Sequence, residues 1–347
     1  MTTASSPLKI YYVLGNQTQL EPNRGDKINE ISFLTALSQF AQVYYNNQLF
    51  NPAISGYGLT KKRIEAPRPD CDLYIIRNNW EVFAACPQPK LAVASPYDET
   101  VFREAKAVLA FTEAWKYGLE NLTTLAGGID GYFHHNFPTD MIAPQQVINI
   151  GQTLAPHFFE AEDNAKIFQY KARMGYGFTV GYFGRIVEHT RPNAFLRCYD
   201  ALKAAIPSLT LVMAGRVDIP VDRSEIMVLP PVPFAEMHHA VSACSVLLAN
   251  EQPESAWAGS IKPMEGMARG IPVLANPGPV RKEQLGEEYP LFYTSDDELQ
   301  AHLKRLYSDA AFYASVKAYL LNRREHYTVA AMAQRLEAQL RPISKAP

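Results

Sequence analysis

The sequence predicts an α/β protein of two Rossmann-like units, each a parallel sheet with helices on its faces. Three observations carry this expectation. The chain has 347 residues, about two domains of ordinary size. Short apolar runs alternate with longer amphipathic stretches from end to end, the pattern of strand and crossover helix in a parallel sheet. That alternation starts twice, with a stretch of weaker periodicity at residues 139–177 between the two starts.

In the first series, residues 9–14 (KIYYVL) form an apolar run, and a polar loop follows that ends Arg24-Gly25-Asp26. Helical spacing over 27–41 puts Ile28, Ile31, Leu34, Leu37 and Ala41 on one stripe, with Asp26 placed to cap it. Further strands are expected at 42–45, 73–77, 91–94 and 108–111. The second series has strands at 179–183, 209–214, 226–229, 246–249 and 272–275. Its helices read at 193–205, 234–242, 262–268 and 296–307, and a last helix at 328–340 follows both series. The expected division is a first unit at 1–172, a second at 173–325, and a closing segment, 326–347, that crosses back to the first. Open parallel sheets take ligands outside the carboxyl ends of their strands, so a cleft between the units is the expected site.

Composition narrows the function classes. Apolar residues make up 47% of the chain and charged residues 20%, ordinary for a globular protein with sizeable cores. A net charge of -2 builds in no general attraction to nucleic acid or anionic membrane. The short cluster Lys61-Lys62-Arg63 reads as a solvated loop edge. Cys71, Cys86, Cys198 and Cys244 lack metal-ligand spacing and read as small core hydrophobes in a reducing compartment. The polar N-terminus carries no signal peptide, and no apolar run approaches the roughly 20 residues of a membrane span, so the expected localisation is cytoplasmic. Asp70-Cys71-Asp72 precedes its strand and reads as a strand-entry turn, not a metal site. With no other acidic cluster, neither a metal nor a cofactor is expected.

Residues 257–274 read WAGSIKPMEGMARGIPVL. Gly259-Ser260 opens a short helix that bears Lys262 and Glu265, closes at Gly270 and feeds a strand. Loop amides at a helix N-terminus offer an anion site, and a lysine there adds a full positive charge. Glu265, three residues on, shares the face of Lys262 and can accept hydrogen bonds from vicinal hydroxyls such as those of a ribose. Spacing alone leaves a surface Lys–Glu pair, with Gly270 as a simple C-cap, an equal reading.

This segment resembles the donor-binding signature of the retaining family-4 glycosyltransferases of GT-B fold, in the subgroup with a lysine three residues before the glutamate. Three other stretches resemble family elements in the right order: Leu109-Ala-Phe-Thr-Glu113, Gly128-Ile-Asp-Gly-Tyr-Phe133 and Gly181-Tyr-Phe-Gly-Arg185. The resemblance implies transfer of a sugar from a nucleoside-diphosphate sugar to an acceptor hydroxyl, with retention at the anomeric carbon. Arg185 would pair with the donor diphosphate through two charge-assisted hydrogen bonds. Lys262 would add a second charge, Glu265 would hold the ribose, and Gly25, Gly259 and Ser260 would bring backbone close to the diphosphate. The donor is the only co-substrate implied. The acceptor stays open among a glycan, a metabolite, a protein and a modified nucleic acid. A sugar-nucleotide epimerase of the same fold and a non-catalytic sugar-nucleotide binder are the alternatives.

The sequence also departs from the family. Trp257 stands where a second glutamate is frequent, with Glu254 the nearest acid upstream. Thr190, beside Arg191, stands where a lysine commonly follows the Gly-Arg. Ser95-Pro-Tyr-Asp98 occupies a loop in which many members carry a histidine, so Tyr97 or Asp98 would meet the donor sugar. Asp98 therefore joins Arg185 and Lys262 among the catalytic candidates.

Overall fold

The computed structural model describes residues 7–13, 25–45, 70–77, 80–93, 99–121, 144–187, 191–218, 226–249 and 260–344. The chain divides into two compact units, Met1–Ala155 with Tyr327–Pro347, and Pro156–His326.

The first unit runs β1 (Leu8–Val13), α1 (Gly25–Leu37), β2 (Ala41–Tyr45), β3 (Leu73–Ile76), α2 (Trp80–Ala85), β4 (Lys90–Val93), α3 (Glu99–Glu104), β5 (Ala107–Ala110), α4 (Glu113–Glu120) and β6 (Val147–Asn149). Its strands are all parallel, in the order β2-β1-β3-β4-β5-β6. Strands β3, β4 and β5 are buried along their whole length, which is why they read as unbroken apolar runs. At the entry of β1, the Lys9 amide donates to Asp72 Oδ2 at 2.8 Å and Lys9 Nζ reaches Asp70 at 3.2 Å, so the Asp-x-Asp segment is a strand-entry turn.

The second unit runs α5 (Asn164–Met174), β7 (Phe178–Phe183), α6 (Asn193–Ala205), β8 (Leu209–Ala214), β9 (Met227–Leu229), α7 (Met237–Ser242), β10 (Val246–Leu248), α8 (Lys262–Arg269), β11 (Val273–Leu274), α9 (Pro279–Leu285), α10 (Asp296–Ser308) and α11 (Ala310–Arg323). Its sheet is also parallel, in the order β11-β10-β7-β8-β9. The chain then forms α12 (Val329–Leu340), which belongs to the first unit. Val329, Met332, Ala333, Leu336 and Leu340 of α12 enter the core that holds Ile31 and Leu34 of α1. All four cysteines are buried. No described helix is long and apolar enough to cross a membrane.

The units meet at Ala155/Pro156, not at 172/173, and the intervening residues show why. A 3-10 turn at Pro156–Phe159 and α5 pack against α7 and α8. Buried Arg269 of α8 donates to the carbonyls of Phe158 at 3.1 Å and Glu160 at 2.7 Å, and Tyr170 of α5 donates to Glu236 at 2.6 Å. Strand β6 and helix α5 both lie in the stretch of weak periodicity. The first helix begins at Gly25, so Asp26 falls inside its first turn, and Ala41 opens β2 instead of closing the helix. The expected helix at 234–242 is a 3-10 turn, Phe234–Glu236, followed by α7.

Candidate functional site

Strand order fixes where a ligand can approach the second unit. From β7 the chain winds outward through β8 and β9, then returns to place β10 on the other side of β7. Strand order therefore reverses between β7 and β10, and in open parallel sheets ligands bind outside the carboxyl ends of the strands at such a switch point. Gly184-Arg185 follows β7, and the segment after β10 leads into α8. The Gly-Arg and Lys-x-x-Glu elements therefore belong to the same end of one sheet.

Gly184 has φ 114, a backbone conformation open to glycine. A Cβ there would also lie 3.0 Å from Lys262 Cε, so the absent side chain leaves the path that Lys262 follows. Arg185 projects beyond it with 67% of its side chain exposed, and its Nε reaches Asp218 Oδ2 at 3.3 Å. Asp218 also accepts from Arg216 Nε at 2.8 Å, and the two arginines, Arg216 first, hold its carboxyl below the usual carboxylate range. Sequence reading does not find Asp218. Its pairing with Arg185 spans 33 positions and leaves no local spacing to read.

Lys262 is the first residue of α8, with Pro263 behind it to preset the first turn. Ile261 at the N-cap offers no side-chain acceptor, and Ser260 Oγ accepts the Lys262 amide at 3.2 Å. Helix α8 lies close on the sheet because residue 266 is glycine. A Cβ there would fall 2.4 Å from Val273 Cγ2. The close approach presses both charged side chains of the motif inward, and Glu265 is only 6% exposed. Burial lowers the Lys262 ammonium well below an ordinary lysine, with Arg281 adding to the fall and Glu265 opposing it. Burial likewise raises the Glu265 carboxyl, against the attraction of Lys262. The two are thus no surface pair. The helix closes at Gly270 with φ 66, the expected left-handed C-cap.

Beneath α8 lies a residue that the motif does not announce. Arg281 of α9 is 1% exposed and donates through Nη1 to the Ser260 carbonyl at 3.1 Å and to Gln284 Oε1 at 3.0 Å. Gln284 Nε2 donates to the same carbonyl at 3.0 Å. The readable signal is Gly278-Pro279, a helix start that places Arg281, Gln284 and Leu285 together on the inner face.

Other expected positions fall elsewhere. Gly25 is the first residue of α1 in the first unit, a helical residue and not the loop glycine expected. Asp98 and Gly259 lie outside the described residues, as do Tyr97, Thr190, Glu254, Trp257 and the 128–133 element. Leu109–Glu113 spans the end of β5, a turn, and the start of α4, where Thr112 Oγ1 accepts the Trp115 amide at 3.0 Å. Among the described residues, no group of three or more His, Cys, Asp or Glu side chains could hold a metal ion.

No family model matches the chain, and no curated protein sequence matches it either. Similarity appears in three dimensions. Anabaena HepE, solved with UDP and glucose, superposes with a TM-score of 0.65 at 14% identity, over 96% of this chain and 99% of that one. A glycosyltransferase from Rickettsia africae superposes with a TM-score of 0.67 at 10% identity, over 97% and 99%. The trehalose-6-phosphate synthase OtsA superposes with a TM-score of 0.64 at 11% identity, over 96% and 99%. The fold that these proteins share with the chain is GT-B: two α/β units, each with one parallel sheet.

Proposed function

We propose that the chain is a glycosyltransferase that moves a sugar from a nucleoside-diphosphate sugar to an acceptor hydroxyl. One observation carries the reading. Arg185, Lys262 and the first turn of α8 stand at the switch point of the second sheet, with the buried carboxyl of Glu265 one turn on. A diphosphate would meet two cations and the positive end of the α8 dipole there, and Glu265 would accept from ribose hydroxyls. The neighbours support a donor of this class, since Anabaena HepE has also been solved with UDP-glucose.

In this reading the protein's main task is electrostatic. Negative charge grows on the diphosphate as the bond to the sugar breaks, so fixed cations attract it most in the transition state. Neutralisation by Arg185, Lys262 and the α8 dipole makes the reaction metal-independent in this reading. Retention follows from the resemblance of residues 257–274, and the roles of Gly25, Gly259 and Asp98 rest on resemblance alone.

The test is a thermal-shift screen of UDP, ADP, GDP and their sugars, followed by mass spectrometry of products over an acceptor panel. A ligand at 100 times its dissociation constant stabilises by about 2.7 kcal/mol, an easily read shift. The expected result is one preferred base and a transfer product that survives exhaustive chelation. A product lost on chelation and restored by magnesium overturns metal independence. Binding to none of the nucleotides overturns the whole reading.

A further inference from the structure

Arg281 is a buried cation for which the described residues provide no carboxylate. An arginine in that position is costly unless something beyond packing uses its charge. Its Nη1 and the amide of Gln284 converge on one acceptor, the Ser260 carbonyl, at 3.1 and 3.0 Å. The hydroxyl of the same serine accepts the Lys262 amide at 3.2 Å. Ser260 is therefore tied on one side to α9 and on the other to the first turn of α8. No side chain caps that turn at Ile261, and the tie through Ser260 holds the amide of Lys262, the residue that opens it. The Nε and Nη2 groups of Arg281 are buried and meet no acceptor among the described residues.

We infer that Arg281, with Gln284, is a positioning residue for the donor diphosphate. It holds Ser260 and the start of α8 in register and adds a fixed positive field from below, without touching the nucleotide. A charge in a low-dielectric setting acts at longer range than one in water, so contact is not needed. The inference rests on the reading of this strand end as a diphosphate site.

Calorimetry with UDP, ADP and GDP on wild type, Arg281→Met, Arg281→Lys and Gln284→Leu tests it. The parent nucleoside of the preferred base is followed in parallel by ligand-observed NMR. Arg281→Met should weaken diphosphate binding about tenfold, the order expected when a unit charge acting through a low dielectric is removed, and leave nucleoside binding unchanged. Arg281→Lys should recover part of the loss, since it keeps the charge and gives up the fork. Gln284→Leu should lose less than Arg281→Met. Because Arg281 depresses the Lys262 ammonium, the alkaline fall in diphosphate affinity should also move to higher pH in Arg281→Met. If Arg281→Met does not fold, the lysine and Gln284 variants carry the comparison. Equal loss of nucleoside and diphosphate, or no loss in any variant, overturns the inference while leaving the donor site standing. Failure of the wild type to bind any diphosphate overturns both.

Discussion

The ammonium of Lys262 lies 4.4 Å from the centre of the Tyr182 ring, one residue before the end of the strand that carries the tyrosine. A cation over an aromatic face keeps favourable electrostatics while giving up water. Here that contact steers the lysine back across the strand end, over Gly184. The Gly-Arg element and the lysine of the helix are thus parts of one construction, and the glycine matters for the lysine as much as for the arginine.

Gly184→Ala should reveal this coupling. The new methyl meets a φ of 114 and stands 3.0 Å from Lys262 Cε, so it strains the backbone and displaces the lysine together. The strain should cost on the order of 1–3 kcal/mol in urea unfolding. Affinity for the nucleoside diphosphate should fall as well. Unchanged affinity in the destabilised variant would separate the lysine from the glycine.

Glu265→Gln addresses the ribose. The carboxyl is buried and close to the sheet, so the amide keeps its shape and loses its charge. Hydrogen bonds to a charged group contribute roughly 1.5–3 kcal/mol, which is about tenfold or more in affinity. The loss should vanish when the ligand is the 2′,3′-dideoxy diphosphate, which has no hydroxyls to offer. If wild type and variant discriminate equally against the dideoxy ligand, Glu265 does not hold the ribose.

Much of the fold is legible in the sequence because strands buried on both faces leave unbroken apolar runs, as in LYII, KLAV and AVLA. Lys262 and Glu265 are legible for a different reason: both lie on one helix, three residues apart. What is not legible depends on distant partners. Asp218 meets Arg185 across 33 positions and Arg281 meets Ser260 across 21, so neither has a local pattern. Helix α5 turns only Ile167, Tyr170 and Met174 inward, and its place in the second unit is decided by packing on α7. The buried state of Glu265 is likewise a consequence of Gly266 meeting Val273, a contact between helix and strand that spacing does not report.

Acid should weaken the second unit through its histidines. His157 and His238 lie with ring centroids 5.0 Å apart among Phe158 and Phe234, and burial holds them down to about 3 and about 4. A histidine in the unfolded chain takes its proton near 6.5. Below that pH the unfolded chain binds protons that the fold refuses, so the contribution is complete above about 6.5 and drains as pH falls toward 4. The urea midpoint should drop between pH 7.5 and pH 5, and His157→Phe should drop less over the same range. Parallel pH curves for the two proteins would show that these rings do not set the acid response.

Arg185→Ala and Lys262→Ala should both cripple transfer, and only the first should leave stability alone. Each removes a preorganised charge from the leaving diphosphate, a loss that typically costs on the order of a hundredfold or more in kcat/KM. The double variant should lose less than the product of the two, because both cations act on one group. Stability separates them. Arg185 is largely exposed and its ion pair with Asp218 is a solvated one, so its removal should barely move Tm. Lys262 is the cation that opposes the burial of Glu265, and its alkyl chain fills the space over Gly184 and Tyr182. Its removal takes the nearby charge from that carboxyl and opens a gap, so Tm should fall at pH 7, where a share of both groups, each brought by burial to about 7, is charged. It should fall less at pH 5, where the carboxyl, raised by burial, takes up a proton. A Lys262→Ala protein with wild-type Tm at both pH values would show that Glu265 draws its compensation from elsewhere. Near-wild-type turnover in either single variant would place the donor site away from this strand end.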